Sequence, residues 1–360
     1  MAKAITIIAT VFVTIMFLFS HTVVEANWTV VREDDIIRAD GIEGMLQDVY
    51  FMDNLNGLVV GNNGLMLETA DGGKTWKKKE VNMRPPGAGT GQRPGGGGPP
   101  AGFGGGGSVT LYNIYFVNEK VGFITGARGT ILKTEDSGKT WNRKIARSGA
   151  AEQNTNRRRG GIRANLMGIQ MVSETVGFIA GSENTILKTT DGGETWIGSS
   201  ERARVGETRN NLENILFVSP TTGWVIGSYG TLLHTTDGGE TWEKRNAGVD
   251  HNLFGIHFFN DKIGWICGQE GLILYTNDSG KTWNQQKTDS FDNLYDIVFV
   301  DEMVGWTAGD YGAVLHTTDG GKTWNASKVG SSGAIKGIHA TDKDHCWTVD
   351  DWGVIATYKK

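Results

Sequence analysis

The chain has 360 residues and a mildly acidic balance, 35 Lys and Arg against 40 Asp and Glu. That balance gives no global case for nucleic-acid binding, which calls for a basic face. The 53 glycines set against 6 prolines indicate many tight turns rather than a proline-rich disordered chain.

Residues 1–26 read as an export signal. Lys3 and the amino terminus supply a small positive charge, and Ile5 to Ser20 is an uncharged run of apolar and small residues. Val24-Glu-Ala26 offers small residues for cleavage before Asn27. The run is short for a membrane span of about 20 residues. The two readings are a cleaved signal and an uncleaved anchor. No cysteine lies near the cleavage point, which excludes a lipid anchor there.

Residues 27–360 are organised by a repeat. The octapeptide Thr69-Ala-Asp-Gly-Gly-Lys-Thr-Trp76 recurs with Trp141, Trp196, Trp242, Trp283 and Trp324 at its end. Its aspartates are Asp71, Asp136, Asp191, Asp237, Asp278 and Asp319. A leucine stands 25 positions before each one, from Leu46 to Leu294, and a glycine 14 before, from Gly57 to Gly305. Each unit reads as four short strands, a to d. In the cleanest copy these are Leu253 to Phe258, Gly264 to Gly268, Leu272 to Thr276, and a strand opened by Trp283. A repeat of 41 residues, as from Asp237 to Asp278, fits a propeller blade.

The chain ends supply a seventh blade. Ile335-Lys-Gly-Ile-His339, Cys346-Trp347 and Val354 to Tyr358 fill strands a, b and c. Asn27 to Arg32 provides the missing strand d, so the expected fold is an all-β, seven-bladed propeller closed by its N-terminal strand. Seven tryptophans open d strands and four lie in b strands, so tryptophan is read as core between blades, with Trp352 alone outside the pattern. Cys267 and Cys346 fall in non-adjacent blades and are expected to be free, buried thiols.

The Asp-box aspartates are read as structural. Each can accept N–H bonds inside its c–d turn, and the turns lie apart around the periphery. The histidines (His234 and His316 in strand c, His257 and His339 in strand a) repeat in register and are read as packing. No spacing suggests a zinc site, and no cofactor is expected.

Strand direction puts the b–c loops and the d–a connections between blades on one face, the insertion face. Its b–c tips are read as Asn62, Arg128, Glu183, Tyr229, Glu270, Tyr311 and Asp351, one position with varied chemistry. Three inserts break the repeat in d–a connections. Residues 85–107 hold 12 glycines and five prolines and read as a flexible loop. Residues 145–165 carry Arg157, Arg158, Arg159 and Arg163, and residues 199–210 carry Arg202, Arg204 and Arg209. All 15 arginines lie at or before Arg245. These arginines, with Arg128, Tyr229 and Tyr311, are the candidate partner-binding residues. Guanidinium forks suit a carboxylate-bearing chain, and a basic patch also suits anionic lipid heads.

Six copies of Thr-x-Asp-x-Gly-x-Thr-Trp, each after Gly-[Trp/Phe/Leu]-x-x-Gly-x-x-Gly, resemble the photosystem II stability/assembly factor family. Asn184 replaces the last glycine in one copy. The resemblance covers the whole mature chain. It implies a seven-bladed propeller exported to a lumen or periplasm, soluble or N-terminally anchored. It also implies an assembly chaperone with an arginine-rich patch that holds a membrane-protein precursor. The glycine-rich insert is not a feature of the photosynthetic members. Asp-boxes also occur in sialidases, but the Arg-Ile-Pro motif of those enzymes is absent. The function expected is therefore a non-enzymatic scaffold for a protein partner. The alternatives are a glycan-binding or glycoside-hydrolysing propeller and a periplasmic accessory to a transporter. A glycosidase would need two carboxylates about 5–10 Å apart, with Glu183, Glu270, Asp310, Asp350 and Asp351 as candidates.

Overall fold

A computed structural model describes residues 28–31, 44–80, 109–148, 161–198 and 210–359. The leader 1–26, the insert 85–107, Arg157 to Arg159 and Arg202, Arg204 and Arg209 lie outside the described residues. Within them the chain folds as seven sheets, each ordered a-b-c-d and antiparallel from a to d. The a strands are Leu46–Phe51, Leu111–Phe116, Leu166–Met171, Leu212–Phe217, Leu253–Phe258, Leu294–Phe299 and Ile335–Asp342, for blades 1 to 7. Each a strand touches the next around the ring, and that of blade 7 touches that of blade 1. The ring is closed, as the repeat count requires. No helix among the described residues is long and apolar enough to cross a membrane.

The repeat's conserved positions have physical causes. The b strands of blades 1 to 6, such as Gly122–Gly126, are buried at every residue because both faces pack on neighbouring blades. A Cβ on Gly122 would lie 2.8 Å from the Phe116 ring, so glycine opens strand b where the last aromatic of strand a folds across it. The core consists of clusters shared between adjacent blades. Leu46, Val49 and Phe51 of blade 1 pack with Trp347, Val349 and Ile355 of blade 7. The Phe51 and Trp347 rings stack at 3.6 Å. Cys267 and Cys346 are free and buried.

The last blade is completed as expected. Trp28–Val31 pairs antiparallel with Ile355–Lys359, in the register Trp28↔Tyr358 to Val31↔Ile355. One element was not foreseen. Ile145–Ser148, inside the second insert, is a fifth strand that runs parallel to strand d of blade 3, Thr195–Gly198. The insert therefore starts as sheet rather than as a free loop, with Arg147 opposite Ile197.

Candidate functional site

The two faces of the propeller are separated by hydrogen bonding. At the third position past the b strand in blades 1 to 6 the turn is bonded to the connection leaving the same blade. Gly129 N donates to Ala164 O at 2.8 Å, Gly230 N to His251 O at 2.8 Å, Gly271 N to Asp292 O at 2.7 Å and Gly312 N to Gly333 O at 2.8 Å. A Cβ on Gly271, at φ +72°, would meet Ser290 O at 2.0 Å, so the connection presses on the turn backbone itself. The b–c turns and d–a connections thus share one face. The Asp-boxes share the other face with the a–b turns, as in the 2.9 Å bond from Gly72 N to Leu55 O.

The tip position is a left-handed one. Asn63, Arg128, Glu183, Tyr229, Glu270 and Tyr311 have φ between +55° and +59°. The tip of blade 1 is therefore Asn63, not Asn62, whose N–H instead bonds Met45 O at the root of strand a. Asp351 makes the same root bond to Ala334 O, so the tip of blade 7 is Trp352. The residue set aside as outside the pattern is 70 % exposed at the rim. Asp350 is a further correction. It is buried, takes the place of the glycine ending strand b, and accepts N–H bonds from Trp352 and Val354. Its carboxylate holds the turn and does not face the ring. Asn184 keeps the left-handed turn without glycine at φ +57°, a conformation asparagine tolerates. Its Oδ1 accepts from Asn210 N.

Arg128 and Arg163 are exposed, and so are Tyr229 and Tyr311. Arg163 lies in the connection whose Ala164 carbonyl holds the blade 2 turn, so it belongs to the same face as Arg128.

The a strands add a site that tip-by-tip reading missed. Their second residues are Gln47, Tyr112, Met167, Glu213, Phe254, Tyr295 and Lys336, all half-buried at the insertion-face end of the channel. Burial raises the Glu213 carboxyl, and burial with the Glu213 charge raises Tyr112 two blades away, so these side chains converge. Phe254 and Tyr295 lie 5.2 Å apart, and the Lys336 ammonium sits 3.4 Å from the Tyr295 ring centroid. Burial and the neighbouring Asp310 push the Tyr295 phenol up to about 12. The register exposes this ring, since it lies one step after the residue that opens each a strand.

The third positions form the next tier and include Asp48, Asn113, Asn214 and Asp296. Burial holds both aspartates up, Asp296 at about 6 and Asp48 well above its ordinary value with the Asp296 charge adding to it. Both are committed to structure. Asp48 Oδ2 accepts from Ile114 N at 2.9 Å in blade 2, and Asp296 Oδ2 from Ile338 N at 3.1 Å in blade 7. They tie neighbouring blades together.

The Asp-box aspartates are consumed within their own turns. Asp71 accepts from Thr75 N at 2.9 Å and Thr75 Oγ1 at 2.6 Å, and from Thr69 Oγ1 at 2.8 Å. The same bonds recur at Asp136, Asp191, Asp237, Asp278 and Asp319. Among the described residues no group of three or more His, Cys, Asp or Glu is placed to hold a metal.

A family model described as photosynthesis system II assembly factor YCF48 matches residues 27–87 and 199–290. A photosystem II assembly lipoprotein Ycf48 of Synechococcus sp. (strain RCC307) is 44 % identical over 43 residues, 12 % of this chain and 13 % of that protein. The chain thus aligns with only a small part of this relative's length. Among solved structures, YCF48 bound to D1 peptide superposes with a TM-score of 0.66 over 93 % of this chain and 97 % of that one, at 18 % identity. YCF48 from Cyanidioschyzon merolae gives 0.65 over 93 % and 99 %, at 19 % identity. At those identities the superpositions speak to the fold. With the Asp-box register and the closed seven-bladed ring, they make the chain similar to the photosystem II assembly factor family of seven-bladed propellers.

Proposed function

We propose that the chain is a non-enzymatic, exported assembly factor or scaffold that binds a protein partner on its insertion face. The partner is a membrane protein or its precursor segment, and the compartment is a periplasm or a thylakoid lumen. The observation that carries this reading is the face itself. The b–c turns of blades 1 to 6 are fixed by their d–a connections, so a rigid frame displays exposed side chains, among them Arg128, Arg163, Tyr229 and Tyr311. Loops held on a rigid scaffold are where binding resides. The solved YCF48 with a D1 peptide supports a polypeptide as the ligand class. Of the carboxylates named for a hydrolase, Asp350 is occupied by the backbone N–H groups of Trp352 and Val354.

On this reading Arg128, Arg157, Arg158, Arg159, Arg163, Arg202, Arg204 and Arg209 take the carboxylates of the partner segment. The test replaces Arg157, Arg158, Arg159 and Arg163 by alanine in the full chain. It then measures capture of a synthetic peptide carrying glutamates and a free C-terminus against its glutamine, amidated counterpart. Weaker capture of the acidic peptide with an unchanged melting temperature is expected. Unchanged capture sinks the patch assignment.

A further inference from the structure

The insertion face has two chemistries, and the half over blades 4 to 7 is not the arginine half. We propose that this arc is a docking surface for a cationic, extended segment of a protein chain, gripped by Tyr229, Phe291, Tyr311 and Trp352 with Glu270 among them. The inference rests on the protein-binding reading of the same face and adds the partner chemistry of its other side.

The four aromatics are 72, 89, 64 and 70 % exposed, in that order, on a face whose backbone is otherwise fixed. Their places are not incidental. Tyr229 and Tyr311 occupy the left-handed tip at φ +55°, where a bulky side chain strains the backbone. The same turn in blade 1 carries Asn63, which tolerates that geometry. Arg128, Glu183 and Glu270 hold the same position in other blades, and the two tyrosines, at 72 and 64 % exposed, give the fold little packing in return. Phe291 is brought to the arc by its neighbours. Asp292 O accepts from Gly271 N, and Thr288 Oγ1 donates to Gly271 O at 2.8 Å, so the 288–292 segment lies against the Glu270 turn.

Charge decides the occupant. Glu270 is exposed at the tip between those of Tyr229 and Tyr311, and Asp310 and Asp351 directly precede Tyr311 and Trp352. In the connections of this half, Arg245 is paired with Glu243 at 3.0 Å, His251 Nε2 lies 3.7 Å from Glu270 Oε2, and Lys287 is outnumbered by Asp250, Asp289 and Asp292. The chain's own Lys336 shows what the inner edge accepts. Its ammonium lies over Tyr295; burial lowers its pKa, and the Asp351 and Asp310 charges oppose that in part. A lysine or arginine of a partner chain would meet the same combination at the rim, an aromatic face beside a carboxylate. Tyrosine and tryptophan also lose little rotamer freedom on binding, which is why they anchor interfaces.

The test uses the full chain and two labelled dodecapeptides, three repeats of Gly-Lys-Ser-Lys or of Gly-Glu-Ser-Glu, titrated by fluorescence anisotropy. The lysine peptide is expected to bind at low salt, with affinity falling as ionic strength rises. Tyr311→Asn and Trp352→Ser should each weaken it about tenfold, a change of 1.4 kcal/mol. Tyr311→Asn should leave the melting temperature unchanged or raise it, because it relieves the turn. Glu270→Gln should weaken binding and flatten the salt dependence. The fourfold arginine variant should keep or improve lysine-peptide binding, so this proposal and the arginine patch fail separately. No lysine-peptide binding, equal binding of the glutamate peptide, or unchanged affinity in the aromatic variants overturns the proposal. So does glycan-array binding that Tyr311→Asn and Trp352→Ser abolish.

Discussion

Trp28 stands opposite Tyr358 in the last blade, their rings 5.5 Å apart, so the two ends of the described chain are joined in one sheet. The ring of blades is held shut by four residues, Trp28–Val31, on the edge of strand c of blade 7. Val30 at their centre packs with the cluster shared by blades 6 and 7, including Trp306 and Ala356.

Closure should therefore be sensitive to a small lesion at Val30. In Val30→Pro the strand loses its N–H, its extended backbone is disturbed and the packing of Val30 is lost, at a cost of about 2 kcal/mol. A drop of roughly 5 °C in melting temperature is expected, with proteolysis appearing first in blade 7. Calorimetry and limited proteolysis with mass mapping read both. A variant that melts like the parent would mean the clasp does not limit stability.

The Asp-boxes should govern the acid limb of stability. Hydroxyl and N–H bonds from Thr75 hold the Asp71 carboxyl at about 2, and those from Thr140 and Thr282 do the same for Asp136 and Asp278. A carboxyl lowered by folding contributes stability above its unfolded value near 4, and that contribution is lost as pH falls towards 2. Melting temperature should thus decline steeply between about pH 4 and pH 2. In a variant with Asp71, Asp136 and Asp278 changed to asparagine the limb should be shallower and the stability at pH 7 lower. Parallel curves for the two proteins would refute this.

Asp296 should act with the opposite sign. Burial raises its carboxyl to about 6, so the folded chain holds a proton there that the unfolded chain releases near 4. Its contribution is most favourable below pH 4 and declines as pH rises to about 6. Asp296→Asn should remove that decline and match or exceed the parent's stability at pH 7.5. The substitution has a precedent in the chain, since Asn214 holds the same position in blade 4 and its Oδ1 accepts from Ile215 N at 2.8 Å. Marked destabilisation at pH 7.5 would show that the carboxylate is needed in its charged form.

The parts of the site that were legible share a cause. Arg128, Glu183, Tyr229, Glu270 and Tyr311 could be placed by counting back from an aspartate, because the Asp-box fixes a local distance. Blade 7 has no Asp-box, and the count gave Asp351 where the fold puts Trp352. In blade 1 the same distance back from Asp71 falls on Asn63, which carries the left-handed backbone, one position past the expected Asn62. The strand Ile145–Ser148 could not be read, since its partner Thr195–Gly198 lies a blade away and the pairing is parallel.

By itself the sequence determined the architecture, since every blade is a local unit written in a fixed period. It also determined the blade count, since Trp28–Val31 matches the one strand that blade 7 lacks. Only the tertiary structure decided the meaning of individual polar groups. Asp48, Asp296, Asp350 and Glu270 are alike as carboxylates in a sequence. Packing buries Asp48 and Asp350 and half-buries Asp296, each against backbone N–H groups of its own or a neighbouring blade, and leaves Glu270 at the rim. That sorting depends on how far each blade closes on the next, a distance that a repeat written blade by blade does not contain.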